Sequence, residues 1–326
     1  MNNRNSVIKG NALFFMIIIN YLVLNIGLNI IVGIFHVQIT YIESILIAQF
    51  GYALPAIVYA FSRKRPVRNH IRLKKINLLT ILLLIIFAFA IMPLMTFINS
   101  LSLLIGHNTI NSTITGMLDQ TSFVWCLLAV GVLPAVMEEF VYRGVIYNEQ
   151  REGNVIKAIL CSGLFFGLLH MNINQFSYAF VLGAIFAVLT EATGTILSSM
   201  IVHATINSFS VTLSKIQPYL MERMNQIQQS AGQEVTPISD TLSRADIIQM
   251  LPTYFVSAIF SAAFSAFIVF LIIKYNKREN EVRQIVSCSP EEKNRRKQVA
   301  FADVWFILAV TICVVIMLSR EISYWI

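Results

Sequence analysis

Long apolar runs divide this chain from end to end, at 12–35, 43–61, 77–99, 121–147, 155–170, 176–192, 195–214, 252–275 and 303–319. About twenty apolar residues cross a bilayer as a helix, and inside lipid only a helix or a closed barrel satisfies its own backbone. The pattern therefore predicts an all-α polytopic membrane protein with about eight or nine transmembrane helices. Charged residues make up 13% of the chain, against about 25% in ordinary soluble domains. The mean hydropathy is +0.70. No water-soluble domain of useful size remains.

The net charge of +7 is explained by where the basic residues lie. Arg63, Lys64, Arg65, Arg68, Arg72, Lys74 and Lys75 share one loop, Arg151 and Lys157 a second, and the stretch from Lys277 to Lys297 forms a third. The intervening loops, Ser100 to Gly116 and Met171 to Gln175, hold no Lys or Arg. That alternation is the positive-inside pattern, and it predicts a cytoplasmic N-terminus and an outer C-terminus. It also excludes nucleic acid as a partner. The mixed-charge stretch 216–250 reads as an external loop with short helical pieces. The first run, with Arg4 and Lys9 before it, is too long for a signal-peptide core and reads as the first span. Cys126, Cys161, Cys288 and Cys313 have no metal-type spacing and read as small hydrophobes. No internal repeat supports transporter architecture.

Against this apolar background, Glu138, Glu139 and Arg143 in the fourth run stand out. Ionisable groups within lipid cost roughly 2.5–3.5 kcal/mol each on insertion scales and mark function by default. Glu139 and Arg143 are four residues apart, about 40° on a helical wheel, and form a pair in the favoured order. Glu138 points about 140° from Arg143 and is free to face something else. His170 ends the fifth run, one turn after Phe166, and His203 and Asn207 share a face of the seventh. Counted from the inner ends at 1.5 Å per residue, Glu138 lies roughly 15 Å deep, His203 roughly 13 Å and Asn207 roughly 19 Å. His170 comes out deeper, at roughly 20–24 Å, and joins them only if its helix starts late, tilts, or follows a bent fourth helix. Pro134, four residues before Glu138, offers such a bend. Glu191 reads as an interfacial residue at the inner end of the sixth span.

A carboxylate, two imidazoles and an amide in a bilayer suit activation of a water by the acid, with the amide donating to a developing oxyanion. Two histidines and a glutamate equally match the ligand count of an open zinc site, although the His-Glu-x-x-His motif is absent. The residues alone leave both open. They also leave open a non-catalytic scaffold or immunity protein, and a proton-relaying transporter.

Glu-Glu-x-x-x-Arg at 138–143, Phe-x-x-x-His at 166–170 and His-x-x-x-Asn at 203–207 resemble, in order and separation, the three motifs of the CAAX protease and bacteriocin-processing (CPBP, or ABI) family of intramembrane endopeptidases. The resemblance covers about residues 120–212, a catalytic core between N-terminal helices at 1–119 and a polar loop with C-terminal helices at 213–326. It implies a conical intramembrane catalytic cavity and a peptide or protein substrate among membrane lipids. It further implies Glu138 as general base with His170 assisting, and His203 and Asn207 positioning the water and the oxyanion. Glu139, Arg143 and Phe166 would shape the cavity behind them. Zinc held by Glu138, His170 and His203 stays open under the resemblance. Peptide maturation or bacteriocin self-immunity in a bacterial cell membrane is the role it suggests.

Overall fold

The computed structural model describes residues 2–63, 66–107, 110–230, 243–287, 294 and 299–324. Lys64 and Arg65 of the first basic loop, Glu234 and Asp240 of the mixed-charge stretch, and Cys288 lie outside the described residues. So do 289–293 and 295–298 of the last basic loop. Within them every regular element is helical: α1 (Asn2–Phe35), α2 (Tyr41–Ser62), α3 (Val67–His70), α4 (Leu78–Leu103), α5 (Ile110–Gln120), α6 (Phe123–Arg151), α7 (Val155–Leu169), α8 (Ile173–Thr193), α9 (Leu197–Ser230), α10 (Arg244–Tyr275), α11 (Glu279–Val286) and α12 (Val304–Ile322).

Seven of these, α1, α2, α4, α6, α8, α10 and α12, are long and apolar enough to cross a membrane, and α7 is a shorter apolar helix. The chain is an integral membrane protein. Two expectations change. The stretch after 214 is no loop: α9 continues without a break to Ser230. Apart from Pro218, helix formers such as Leu220, Met221, Glu222 and Arg223 dominate this stretch, and contacts one turn apart support it. Arg223 lies over the Tyr219 ring at 5.6 Å, and Gln226 donates to Glu222. At about 51 Å, α9 is much longer than a bilayer core, so its polar half projects beyond the apolar bundle. The outer loop after α4 likewise contains a helix, α5.

Three prolines inside spanning helices meet three side chains from neighbouring helices. Proline has no N–H and leaves the carbonyl four residues earlier without its helical donor. In lipid that carbonyl must be satisfied by a neighbour. Asn20 on α1 donates to Gly51 O, four residues before Pro55. Asn207 on α9 donates to Val130 O, four before Pro134, at 3.2 Å. Beside Pro93, Ser261 of α10 donates to Ala90 O and accepts from Leu94 N, bridging the opened turn of α4.

The helices that hold the motifs are joined by short capped turns. Asn154 accepts from Lys157 N at the start of α7, and Asn172 accepts from Gln175 N at the start of α8. Gly194, at φ 77°, closes α8 in the left-handed region that glycine enters without strain. Between α7 and α8 the backbones nearly touch. A Cβ on Gly163 would stand 2.5 Å from Phe180 O, and one on Gly183 would stand 2.9 Å from Gly163 Cα. Small residues at helix contacts allow this approach in membranes.

At one end of the bundle a single carboxylate ties the loops together. Glu191, at the end of α8, accepts from Arg72 Nη1 at 2.5 Å, Arg151 Nε at 2.9 Å and Tyr147 Oη at 3.0 Å. Arg278 donates to its backbone carbonyl at 3.2 Å. These arginines come from all three basic loops, so all three lie at the same end. Glu191 is therefore a structural clamp rather than a loosely interfacial acid.

Glu191→Ala should lower stability in detergent by about 2–3 kcal/mol, less than the ~3–5 of a fully buried pair because the arginine heads reach solvent. An unchanged thermal midpoint would contradict the clamp. Gly183→Ala should cost about 1–3 kcal/mol through overpacking of the α7–α8 seam, read in the same melt. A substitution as well tolerated as one on the lipid face would show that the seam can open.

Candidate functional site

Helix α6 carries the acidic motif between two segments wound more widely than an α-helix, Leu127–Val132 and Phe140–Ile146, with Pro134 at the start of the regular stretch between them. Such wide turns within α-helices recur at functional sites. They seat Glu138 and Glu139 in the interior, 6% and 0% exposed, with Arg143 also at 0%.

Glu139 and Arg143 form the pair that their spacing predicts, with Arg143 Nη1 donating to Oε1 at 2.8 Å. Arg143 reaches further. Its Nη2 donates to Gly183 O on α8 at 2.8 Å, a contact open only because residue 183 has no side chain. Its guanidinium lies 4.5 Å from the Phe166 ring centre and 5.0 Å from that of Phe186. The charge is thus covered by one carboxylate, one carbonyl and two aromatic faces.

Glu139 also does more than pair with Arg143. The same Oε1 faces His203 Nδ1 at 3.0 Å. An ionised carboxylate only accepts, so Nδ1 carries the proton and the tautomer of a neutral His203 is fixed. The opposite ring nitrogen, Nε2, faces Glu138 Oε2 at 3.9 Å. His203 therefore stands between the two acids, one on each nitrogen. Phe186 stacks on its ring at 5.2 Å, and Phe166 meets it edge-on at 5.7 Å.

Phe166 is the aromatic centre of the cluster. Besides His203 and Arg143 it contacts Tyr142 at 5.4 Å, Phe186 at 6.0 Å and His170 at 5.4 Å. His170, just past the end of α7, thereby joins His203 around one ring and lies within electrostatic range of Glu138 and His203. The depth mismatch of straight helices is absorbed because α6 is interrupted by wide turns and α7 is only 15 residues long.

Asn207 sits one turn beyond His203, with its amide engaged by Val130 O. It joins α9 to the bend of α6 ahead of the acids. Among the described residues no three His, Cys, Asp or Glu side chains gather in a way that could hold a metal ion. His203 Nδ1 is committed to Glu139, while its Nε2 stays turned towards Glu138.

One residue of the cluster escapes a reading of charges and histidines. Gln49 of α2 donates from Nε2 to Glu138 Oε1 at 3.1 Å. An amide in an apolar run is a weak signal, and depth alone would have been the clue.

Residues 120–209 match the sequence model of the Rce1-like family, described as type II CAAX prenyl endopeptidase Rce1-like. No curated protein and no solved structure matches the chain. The matched stretch contains all three motifs, in agreement with the resemblance to CAAX-type membrane proteases read from them.

Proposed function

We propose that this protein is an intramembrane endopeptidase in which Glu138 and His203 hold and activate a water that attacks a peptide bond. The observation that carries the reading is the 3.9 Å separation of Glu138 Oε2 and His203 Nε2. It is too long for a direct hydrogen bond, and one water oxygen fits about 2.8 Å from each group. With Nδ1–H given to Glu139, Nε2 accepts one O–H of that water and Glu138 accepts the other. The oxygen lone pairs are left to face a substrate carbonyl.

On attack the water proton passes to Glu138, and the new C–O bond leaves a tetrahedral oxyanion. Glu138 then returns the proton to the departing amine as the C–N bond breaks. His170, edge-on to Phe166, assists Glu138. Asn207, whose amide keeps one N–H beyond that given to Val130, stabilises the oxyanion. Glu139 and Arg143 hold His203 in its working tautomer. The substrate is a membrane-embedded or membrane-delivered peptide, and the role is peptide maturation or bacteriocin self-immunity in a bacterial cell membrane. The end carrying the Glu191 clamp faces the cytoplasm, with the N-terminus on that side.

Glu138→Gln should remove cleavage by a factor of about 10²–10⁴ while the protein stays at wild-type levels in the membrane. Comparison of peptide termini in cells carrying the wild type and this variant reads the effect, and an unchanged set of termini would overturn the reading. Glu139→Gln should lower both turnover and thermal stability, because it frees the His203 tautomer and leaves Arg143 buried beside a neutral amide. Full activity in a less stable protein would limit Glu139 to packing.

A further inference from the structure

The family match begins at residue 120, yet a helix well before it reaches the acid at the centre of the site. Gln49 lies two turns into α2, and the face it shares with Tyr52, Ala53 and Ala56 is turned inwards, those three being buried. Its Nε2 donates to Glu138 Oε1 at 3.1 Å. The orientation of the amide follows from the chemistry. An ionised carboxylate has no proton to give, so the NH₂ group must face Glu138 and the carbonyl must point away.

That carbonyl, Gln49 Oε1, is buried and has no hydrogen-bond partner. The hydroxyls of Tyr52, on the same face of α2, and of Tyr142 are also buried and unpartnered, and both lie within electrostatic range of Glu138. A buried polar atom left unpaired costs about 1–3 kcal/mol, and native folds rarely keep several without a reason. Three of them stand around this one acid, leaving polar capacity there that the protein itself does not use.

We infer that Gln49 is a positioning residue of the site, contributed by α2 from outside the matched segment. It fixes Glu138 by its Oε1, so that Oε2 is the oxygen presented to His203 and to the water between them. Its own carbonyl accepts a backbone N–H of the extended substrate peptide. This inference rests on the hydrolytic reading. It extends the catalytic unit beyond residues 120–209 and gives α2 a part in seating the substrate.

Gln49→Met preserves length and volume and removes both polar atoms. With a quenched-fluorescent peptide ending in a prenylated Cys and three further residues, and with its unprenylated counterpart, kcat should fall about tenfold or more on whichever the wild type cleaves. KM should rise by a smaller factor. Gln49→Glu, which sets a second carboxylate against Glu138, should lose more than Gln49→Met. If both variants keep wild-type kcat, the inference fails while the hydrolytic reading stands. A thermal double-mutant cycle with Glu138→Ala, run in detergent, needs no activity; where the alanine variant does not fold, Glu138→Gln replaces it. The midpoint losses of Gln49→Met and the residue 138 variant should be smaller together than their sum. Strict additivity would remove the contact and the inference with it. A wild type that cleaves neither peptide and shows no Glu138-dependent termini in cells overturns the hydrolytic reading, whatever the cycle gives.

Discussion

The Glu139 carboxylate governs this structure. It is wholly buried, and one of its oxygens receives both Arg143 and His203. An ion taken out of water costs several kcal/mol even after the protein relaxes, and the loss is offset only when good geometry and further hydrogen bonds surround it. Satisfying Glu139 calls for Arg143. Satisfying Arg143 calls for the Gly183 carbonyl and the faces of Phe166 and Phe186. Four helices are thereby gathered on one buried pair: α6, α8 and α9 through hydrogen bonds and α7 through the Phe166 ring. The placement of His203 opposite Glu138 follows from balancing a charge elsewhere.

A second constraint acts on the backbone. Each proline in a spanning helix releases a carbonyl where no water is at hand, and at Pro55 and Pro134 an asparagine from the next helix claims it. Such a bond is worth only about 0.6–2 kcal/mol in a membrane. Its value is directional, because it fixes a bend to a particular neighbour. At Pro134 the bend lies a turn before the acids, so Asn207 settles both the angle of α6 and the register of α9 against it. Gly131 allows the contact, since a Cβ there would stand 2.5 Å from Ser208 Oγ.

What the sequence disclosed follows from how costly each residue is in lipid. Glu138, Glu139, Arg143 and His203 are conspicuous in apolar runs because charge is expensive there, and all four meet in the fold. Gln49 costs far less and breaks no periodicity, so nothing in the sequence sets it apart. The 100° arithmetic rightly separated Glu138 from the Arg143 pair. It missed that both acids address one imidazole, since the two ring nitrogens point in different directions. The far half of α9 reads as loop in the sequence because hydropathy reports contact with lipid, whereas helix formation there depends on contacts one turn apart. The straight-helix depth of His170 joins the other site residues only with a bent α6, and the two wide turns of that helix supply the bend.

The motif helix is joined to α8 at two levels. Arg143 donates to Gly183 O, and eight residues further along each helix Arg151 donates to Glu191. The same order of contacts along both helices means that α6 and α8 run parallel. Parallel neighbours need a crossing between them, and α7 supplies it, held tightly against α8 along the Gly163–Gly183 seam. Of the two acids, Glu139 belongs to this ladder through Arg143. Glu138 stands outside it, touched by Gln49 of α2 on one oxygen and facing His203 of α9 with the other. Adjacent residues of one helix thus divide the work: the first is open to chemistry because the second has absorbed the burden of the buried charge.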